Sequence, residues 1–341
     1  MKKAFTSLFA VIAAFLLTLS VAQFQGKVSA QQLTPTPAPS KTPAASPTIE
    51  QTAETNSQTE TYQTKTQSDL SIVTGNIQRP NGLIWFNDKL YTACTGDWTV
   101  YEIDTQSGVT TQYIYGVRNA HSLYATQEND QLHLWIPDFQ NNNLVHIHQG
   151  ISETITSNLQ GPWGISQLTP DAFAVTNLAS NNIVSITKDG TTQEIVTNLR
   201  SPAGVAADEE ALYVANTGSA RRAIEWFDIE DVLGNAQPID AESAVEQHSL
   251  LRGVQNITNL AMGADNDLYF SYALGTRGVV GKIDPQLCRE KGGCTSEDVT
   301  VVLYTELAAP LAGLTLSPDM RLYVHSIFSP DIYWVQLDAN E

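Results

Sequence analysis

The chain has 341 residues, enough for one large domain or two ordinary ones, and a hydrophobic content of 42% that supports a packed core. Its 18 Lys and Arg stand against 36 Asp and Glu, a formal charge of −18. That balance argues against nucleic acid and anionic membrane as partners, because both require phosphate to be neutralised by cationic side chains.

The N-terminus reads as a secretory signal over residues 1–30. Lys2 and Lys3 give a positive start, Ala10 to Leu19 an apolar run, and Val28-Ser29-Ala30 a small-residue cleavage site. The run is shorter than the ~20 residues of a membrane span, so no span is expected after cleavage; an uncleaved anchor is the alternative. Cleavage removes Lys2, Lys3 and Lys27 and no acid, which takes the formal charge to −21. The expected location is secreted, periplasmic or cell-surface. Residues 31–68 are dominated by Gln, Thr, Pro, Ser and Ala, as in Thr34-Pro35-Thr36-Pro37. Such a composition cannot offset the cost of ordering its backbone and is expected to be a disordered spacer.

From residue 69 onward the sequence repeats. A small turn leads into an apolar strand at Pro80-Asn81-Gly82-Leu83, Ala120-His121-Ser122-Leu123, Pro162-Trp163-Gly164-Ile165 and Pro202-Ala203-Gly204-Val205. Later copies are Ile257-Thr258-Asn259-Leu260 and Leu311-Ala312-Gly313-Leu314. A second strand follows each, as in Leu212-Tyr213-Val214, then a third such as Ile183 to Thr187, and a fourth class such as Thr111 to Tyr115. The marker residues Gly82, Ser122, Gly164, Gly204, Asn259 and Gly313 are spaced by 40, 42, 40, 55 and 54 residues, with insertions near 229–244 and 285–297. Four short strands per repeat, six times over, predict an all-β, six-bladed β-propeller across 69–341. The last copy lacks its fourth strand, and Ser71-Ile72-Val73-Thr74 is expected to supply it and close the ring.

The copy at 201–218, Ser-Pro-Ala-Gly-Val followed by Leu-Tyr-Val-Ala-Asn-Thr-Gly, resembles the NHL-repeat family. That architecture is similar to gluconolactonase-like lactonases and virginiamycin B lyase. The lactonase resemblance implies an axial divalent cation, Ca²⁺ or similar, held by a Glu, an Asn before Gly in a first strand, and an Asp ending a second strand. Asn81 matches the Asn; Asp138, after Pro137, is a displaced Asp, and Asn216 a carbonyl substitute. No Glu matches, and the His–Glu pairing of the lyase is not present, since His121 stands alone.

Loops joining fourth to first and second to third strands share one face, where ligand sites favour the axial mouth. The ligand-binding candidates there are Arg79, Asn81, Arg118, Trp163, Asn177, Asn216, Tyr272, Arg277 and His325, with His121 as acid, base or metal ligand. The residues before each marker, Asn81, His121, Trp163, Ala203, Thr258 and Ala312, are expected to ring the axis. Against these roles stand structural ones: a channel-plugging His and strand-end Asn satisfying local backbone. Arg221 and Arg222 join the other arginines as an anion-gathering set or as solvated ion pairs. His146 and His148, two apart on a strand, share a face and suit a metal only with further ligands. Cys288 and Cys294 flank a short loop and can pair in an oxidising compartment, leaving Cys94 free. The expected functions are a monomeric scaffold binding a small molecule or protein at the axial face, or a divalent-metal-dependent lactonase, hydrolase or lyase. A third reading sets an aromatic metabolite against Trp163 and Tyr272.

Overall fold

The computed structural model describes residues 63–326 and 328–337. The signal peptide expected at 1–30, and the linker up to residue 62, lie outside them. The described chain forms six antiparallel four-stranded sheets arranged as blades around an axis. Blade 1 comprises Pro80–Phe86, Lys89–Cys94, Thr99–Asp104 and Thr110–Tyr115; blade 2 comprises Tyr124–Glu128, Gln131–Asp138, Asn143–His148 and Ile151–Ser157. Blade 3 holds Pro162–Thr169, Ala172–Asn177, Asn182–Thr187 and Thr192–Thr197; blade 4 holds Pro202–Ala207, Ala211–Asn216, Ile224–Asp228 and Ser249–Arg252. Blade 5 holds Asn259–Met262, Leu268–Leu274, Arg277–Ile283 and Thr300–Ala308. Blade 6 takes Gly313–Leu316, Arg321–His325 and Ile332–Gln336 from the C-terminus and Ser71–Thr74 from the N-terminus. In the closing pair Ser71 lies opposite Trp334 and Ile72 opposite Tyr333.

Two-residue turns set several hairpin registers. Asn87 and Asp88, and Asn129 and Asp130, all have positive φ, which is the backbone of the primed turns whose twist matches paired strands. Apolar residues alternate along the strands and pack between blades. One cluster lies at each of the six junctions: Trp135 and Leu144 of blade 2, for example, meet Phe173 and Val175 of blade 3. A fully buried side chain such as Phe173 stabilises by roughly 1.5–3 kcal/mol through area removed from water.

The marker residues explain the repeat. A Cβ at Gly204 would stand 2.8 Å from Asn259 Cα of blade 5, and one at Gly82 would stand 2.9 Å from Ser122 N of blade 2. Neighbouring inner strands converge at these points, and only a hydrogen atom fits there. The two copies without glycine bond across the gap instead. Ser122 Oγ donates to Trp163 O at 2.8 Å, and Asn259 Nδ2 donates to Leu311 O at 3.1 Å.

Three blades carry a fifth, two-residue strand that pairs in parallel with the outer edge. Ile239–Asp240, from the blade 4 insertion, lies on blade 3; Cys294–Thr295, from the blade 5 insertion, lies on blade 4. Lys65–Thr66, within the segment read as linker, lies on blade 5. Each segment thus reaches back from the following blade and covers an open edge. The insertions also hold short helices at Ile229–Gly234, Val245–His248 and Pro285–Glu290. Cys288 and Cys294 are joined as a disulfide, and Cys94 is free and buried, which pushes its thiol pKa up. No helix among the described residues is long and apolar enough to cross a membrane.

Candidate functional site

The loops that join blades, and those that join second to third strands, open onto one face. There a cavity of 270 Å³ is lined by Arg79, Asn81, Thr95, Asn119, His121, Trp163, Thr258, Pro310, Leu311 and Ala312. Five of the six residues expected around the axis are among them. Ala203 is not: it is fully buried, and its carbonyl accepts from Thr176 Oγ1 at 2.6 Å. A deeper cavity of 320 Å³ runs along the inner strands past Leu83, Tyr124, Val205 and Met262, and it shares His121 and Trp163 with the mouth. These two rings stand between the mouth and the channel.

Side-chain chemistry at the mouth is centred on His121. Its ring stacks on Trp163, with centroids 3.5 Å apart and planes 3° from parallel, and meets the edge of Phe139 at 5.2 Å. Asn81 Nδ2 donates to Asn119 Oδ1 at 2.9 Å, so Asn81 Oδ1 is turned toward His121 Nδ1, 3.2 Å away. The network assigns the proton to Nδ1 and leaves Nε2 as an acceptor with no partner among the described residues. Burial lowers the pKa of His121 to about 4, so the ring is neutral at pH 7. From below, His325 Nε2 donates to the Asn81 carbonyl at 2.7 Å and holds that strand in place.

Several expected ligands lie elsewhere. Asp138, Asn177 and Asn216 end the second strands of blades 2, 3 and 4, and none lines the mouth. Each accepts a backbone N–H from the loop entering its own blade: Asp138 from Arg118 at 3.0 Å, Asn177 from Gln160 at 3.0 Å, Asn216 from Arg200 at 2.8 Å. In all three the donor is the fourth residue before the marker. The side chains are therefore repeated loop caps, and the expected metal trio of Asn81, Asp138 and Asn216 does not come together. Tyr272 is buried in the core shared by blades 4 and 5. His325 is fully buried beneath the mouth. Arg277 pairs with Glu306 at 3.0 Å, and Arg118 lies over the Trp98 ring at 5.0 Å. Arg222 is committed to Glu225. Of the arginines, Arg79 reaches the mouth.

The mouth does not suit the divalent cation that the lactonase resemblance implies. Hard cations take six to eight oxygen ligands, carboxylates prominent among them. Here no carboxylate among the described residues lines the cavity, the Asn81 and Asn119 oxygens accept hydrogen bonds, and an arginine stands at the rim.

No family model and no curated protein matches the sequence. Solved structures do match in shape. A streptogramin B lyase superposes with a TM-score of 0.54 at 16% identity, over 79% of this chain and 97% of that one. A gluconolactonase from Xanthomonas campestris gives 0.56 at 14% identity, over 79% and 89%. A putative gluconolactonase gives 0.59 at 13% identity, over 79% and 92%. The fold is a six-bladed β-propeller. At these identities the likeness to lactonases and lyases concerns the propeller scaffold, since one scaffold hosts unrelated chemistries.

Sequence reasoning placed Asn119 on this face and missed Thr95, Pro310 and Leu311 as lining residues. Thr95 lies in the loop between the second and third strands of blade 1, and Pro310 and Leu311 in the connection from blade 5 to blade 6.

Proposed function

We propose that this chain is an exported propeller of the NHL kind that binds a small ligand at its axial mouth and acts through recognition. The observation that supports this best is the neutral His121, stacked on Trp163, with its free Nε2 beside a half-apolar cavity. Leu311, Pro310 and Ala312 offer an apolar wall, Nε2 accepts from a donor on the ligand, and Arg79 favours a negative group near the rim. At 270 Å³ the cavity takes a ligand somewhat smaller than a drug-sized molecule, for which roughly 300–1,000 Å³ is usual. The reading with an aromatic ring held between Trp163 and Tyr272 is set aside, because Tyr272 does not face the cavity.

The test is a thermal-shift and tryptophan-fluorescence screen of lactones, aromatic acids and short peptides against the purified chain. A ligand whose binding is lost in Ala312→Trp, which fills the mouth, and weakened in His121→Gln supports the proposal. Ligands that bind both variants as well as the parent chain would place recognition elsewhere.

A second reading keeps catalysis, as a lactonase, hydrolase or lyase, and rests on the same free Nε2. A general base works best with a pKa near the working pH, and His121 lies at about 4. With no carboxylate among the described residues at the mouth to raise it, the imidazole is a weak base, so binding is the stronger reading. Turnover of a lactone or cyclic ester that disappears in His121→Gln would reverse that order.

A further inference from the structure

We propose that His133, His146 and His148 form a binding site for a borderline transition-metal ion, Zn²⁺ or Cu²⁺, on the face of the ring opposite the axial mouth. His146 and His148 share a side of the third strand of blade 2, and strand register places His133 of the second strand directly opposite His148. One ring nitrogen from each lies within 4.8 Å of the other two, and His133 Nδ1 is 2.8 Å from His146 Nε2. His133 lies just after the turn at Asn129 and Asp130, and His148 just before the turn at Gln149 and Gly150. These turns are at the opposite end of the blade from Asp138 and Asn143, which border the mouth side.

Two further observations point to a ligand. His148 Nδ1 is buried and has no hydrogen-bond partner, which is a costly state for a polar atom with nothing to bind. Trp135 stacks on His146, with centroids 3.9 Å apart and planes 10° from parallel, and holds that ring in place.

The donor set selects the metal. Imidazole nitrogens suit Zn²⁺, Cu²⁺ and Ni²⁺, whereas Ca²⁺ and Mg²⁺ require oxygen. Zinc–nitrogen bonds of about 2.0–2.1 Å put tetrahedral ligands on the order of 3.3 Å apart. One pair is already closer than that. The widest separation closes by rotation of His133 and His148, both only partly buried. None of this depends on the axial reading.

The experiment titrates the full chain with ZnCl₂ and CuCl₂ by calorimetry, with CaCl₂ and MgCl₂ as controls and copper electron paramagnetic resonance as a second readout. The expected result is one ion per chain, nitrogen hyperfine coupling in the copper spectrum, and no response to calcium or magnesium. His148→Gln and His133→Gln should each weaken binding by at least about tenfold, with unchanged far-ultraviolet circular dichroism. Three results would overturn the proposal: no zinc or copper binding by a folded chain, binding unaffected by His148→Gln, or binding lost instead in His121→Gln.

Discussion

Replacing Arg222 by methionine removes one half of a buried ion pair and leaves the other half with nowhere to go. Glu225 is fully buried, and Arg222 grips it through two bonds, Nε to Oε1 at 2.6 Å and Nη2 to Oε2 at 3.0 Å. Asn216 Nδ2 adds a third bond to Oε2 at 2.7 Å, and Arg222 Nη2 also donates to Asn198 O at 3.1 Å. Methionine keeps much of the aliphatic stem but none of the donors. A carboxylate stranded in this way costs about 3–5 kcal/mol, a large share of the ~5–15 kcal/mol that typically holds a domain together. Removing both charges, as Arg222→Met with Glu225→Leu, should cost far less. The remaining penalty is the unmet Asn216 amide, about 1–3 kcal/mol.

The pH dependence supplies a check on the cause. Burial raises the Glu225 pKa above its ordinary 4.5, and in the single variant the guanidinium no longer opposes that rise. A raised carboxyl contributes stability that is fully present below its unfolded pKa and is lost as pH rises through its folded one. The defect should therefore be largest at neutral pH and shrink toward pH 4.5. Urea denaturation followed by tryptophan fluorescence, at neutral and at acidic pH, measures both quantities. A single variant within about 1 kcal/mol of the parent chain, or a defect of the same size at both pH values, would refute the reasoning.

Gly204→Ala should destabilise by about 1–3 kcal/mol, because its Cβ would meet Asn259 Cα at 2.8 Å; Gly234→Ala, where a Cβ meets nothing within 4 Å, is the matched control in the same denaturation assay. His121 and His325 both have pKa values lowered to about 4 by burial, from an ordinary 6.5. Their contribution is present above pH 6.5 and lost as pH falls toward 4, by up to roughly 3 kcal/mol for each. Melting temperature measured across that window should fall, and His121→Gln should flatten the fall; an unchanged slope would contradict it.

Sheet order was legible because sterics at the axis impose glycine in most copies, and a missing last strand has to be made up from the other terminus. That Ser71–Thr74 pairs with Ile332–Gln336 follows from that requirement; the register, Ser71 opposite Trp334, does not. The lining of the mouth was half legible. The position before the marker lines the mouth in five of the six copies, so Asn81, His121 and Trp163 could be named, whereas Pro310 and Leu311 come from the connection between blades 5 and 6. The strand-end residues misled: Asp138, Asn177 and Asn216 look like convergent ligands, but their short side chains reach the adjacent loop first. His133 was invisible as a partner of His146 and His148 because cross-strand register is not written in local sequence. The two-residue edge strands at 239–240 and 294–295 were too short to show any alternation.

The back-reaching edge strands bear on how the ring would come apart under load. Tension applied to the chain ahead of Lys65 would meet the two-residue pairing on blade 5 before it reached Ser71–Thr74, the segment that keeps the circle shut. Lys65–Thr66 would act as a shear pin: it would give way first, and the polypeptide it released would absorb extension while the closure stayed intact.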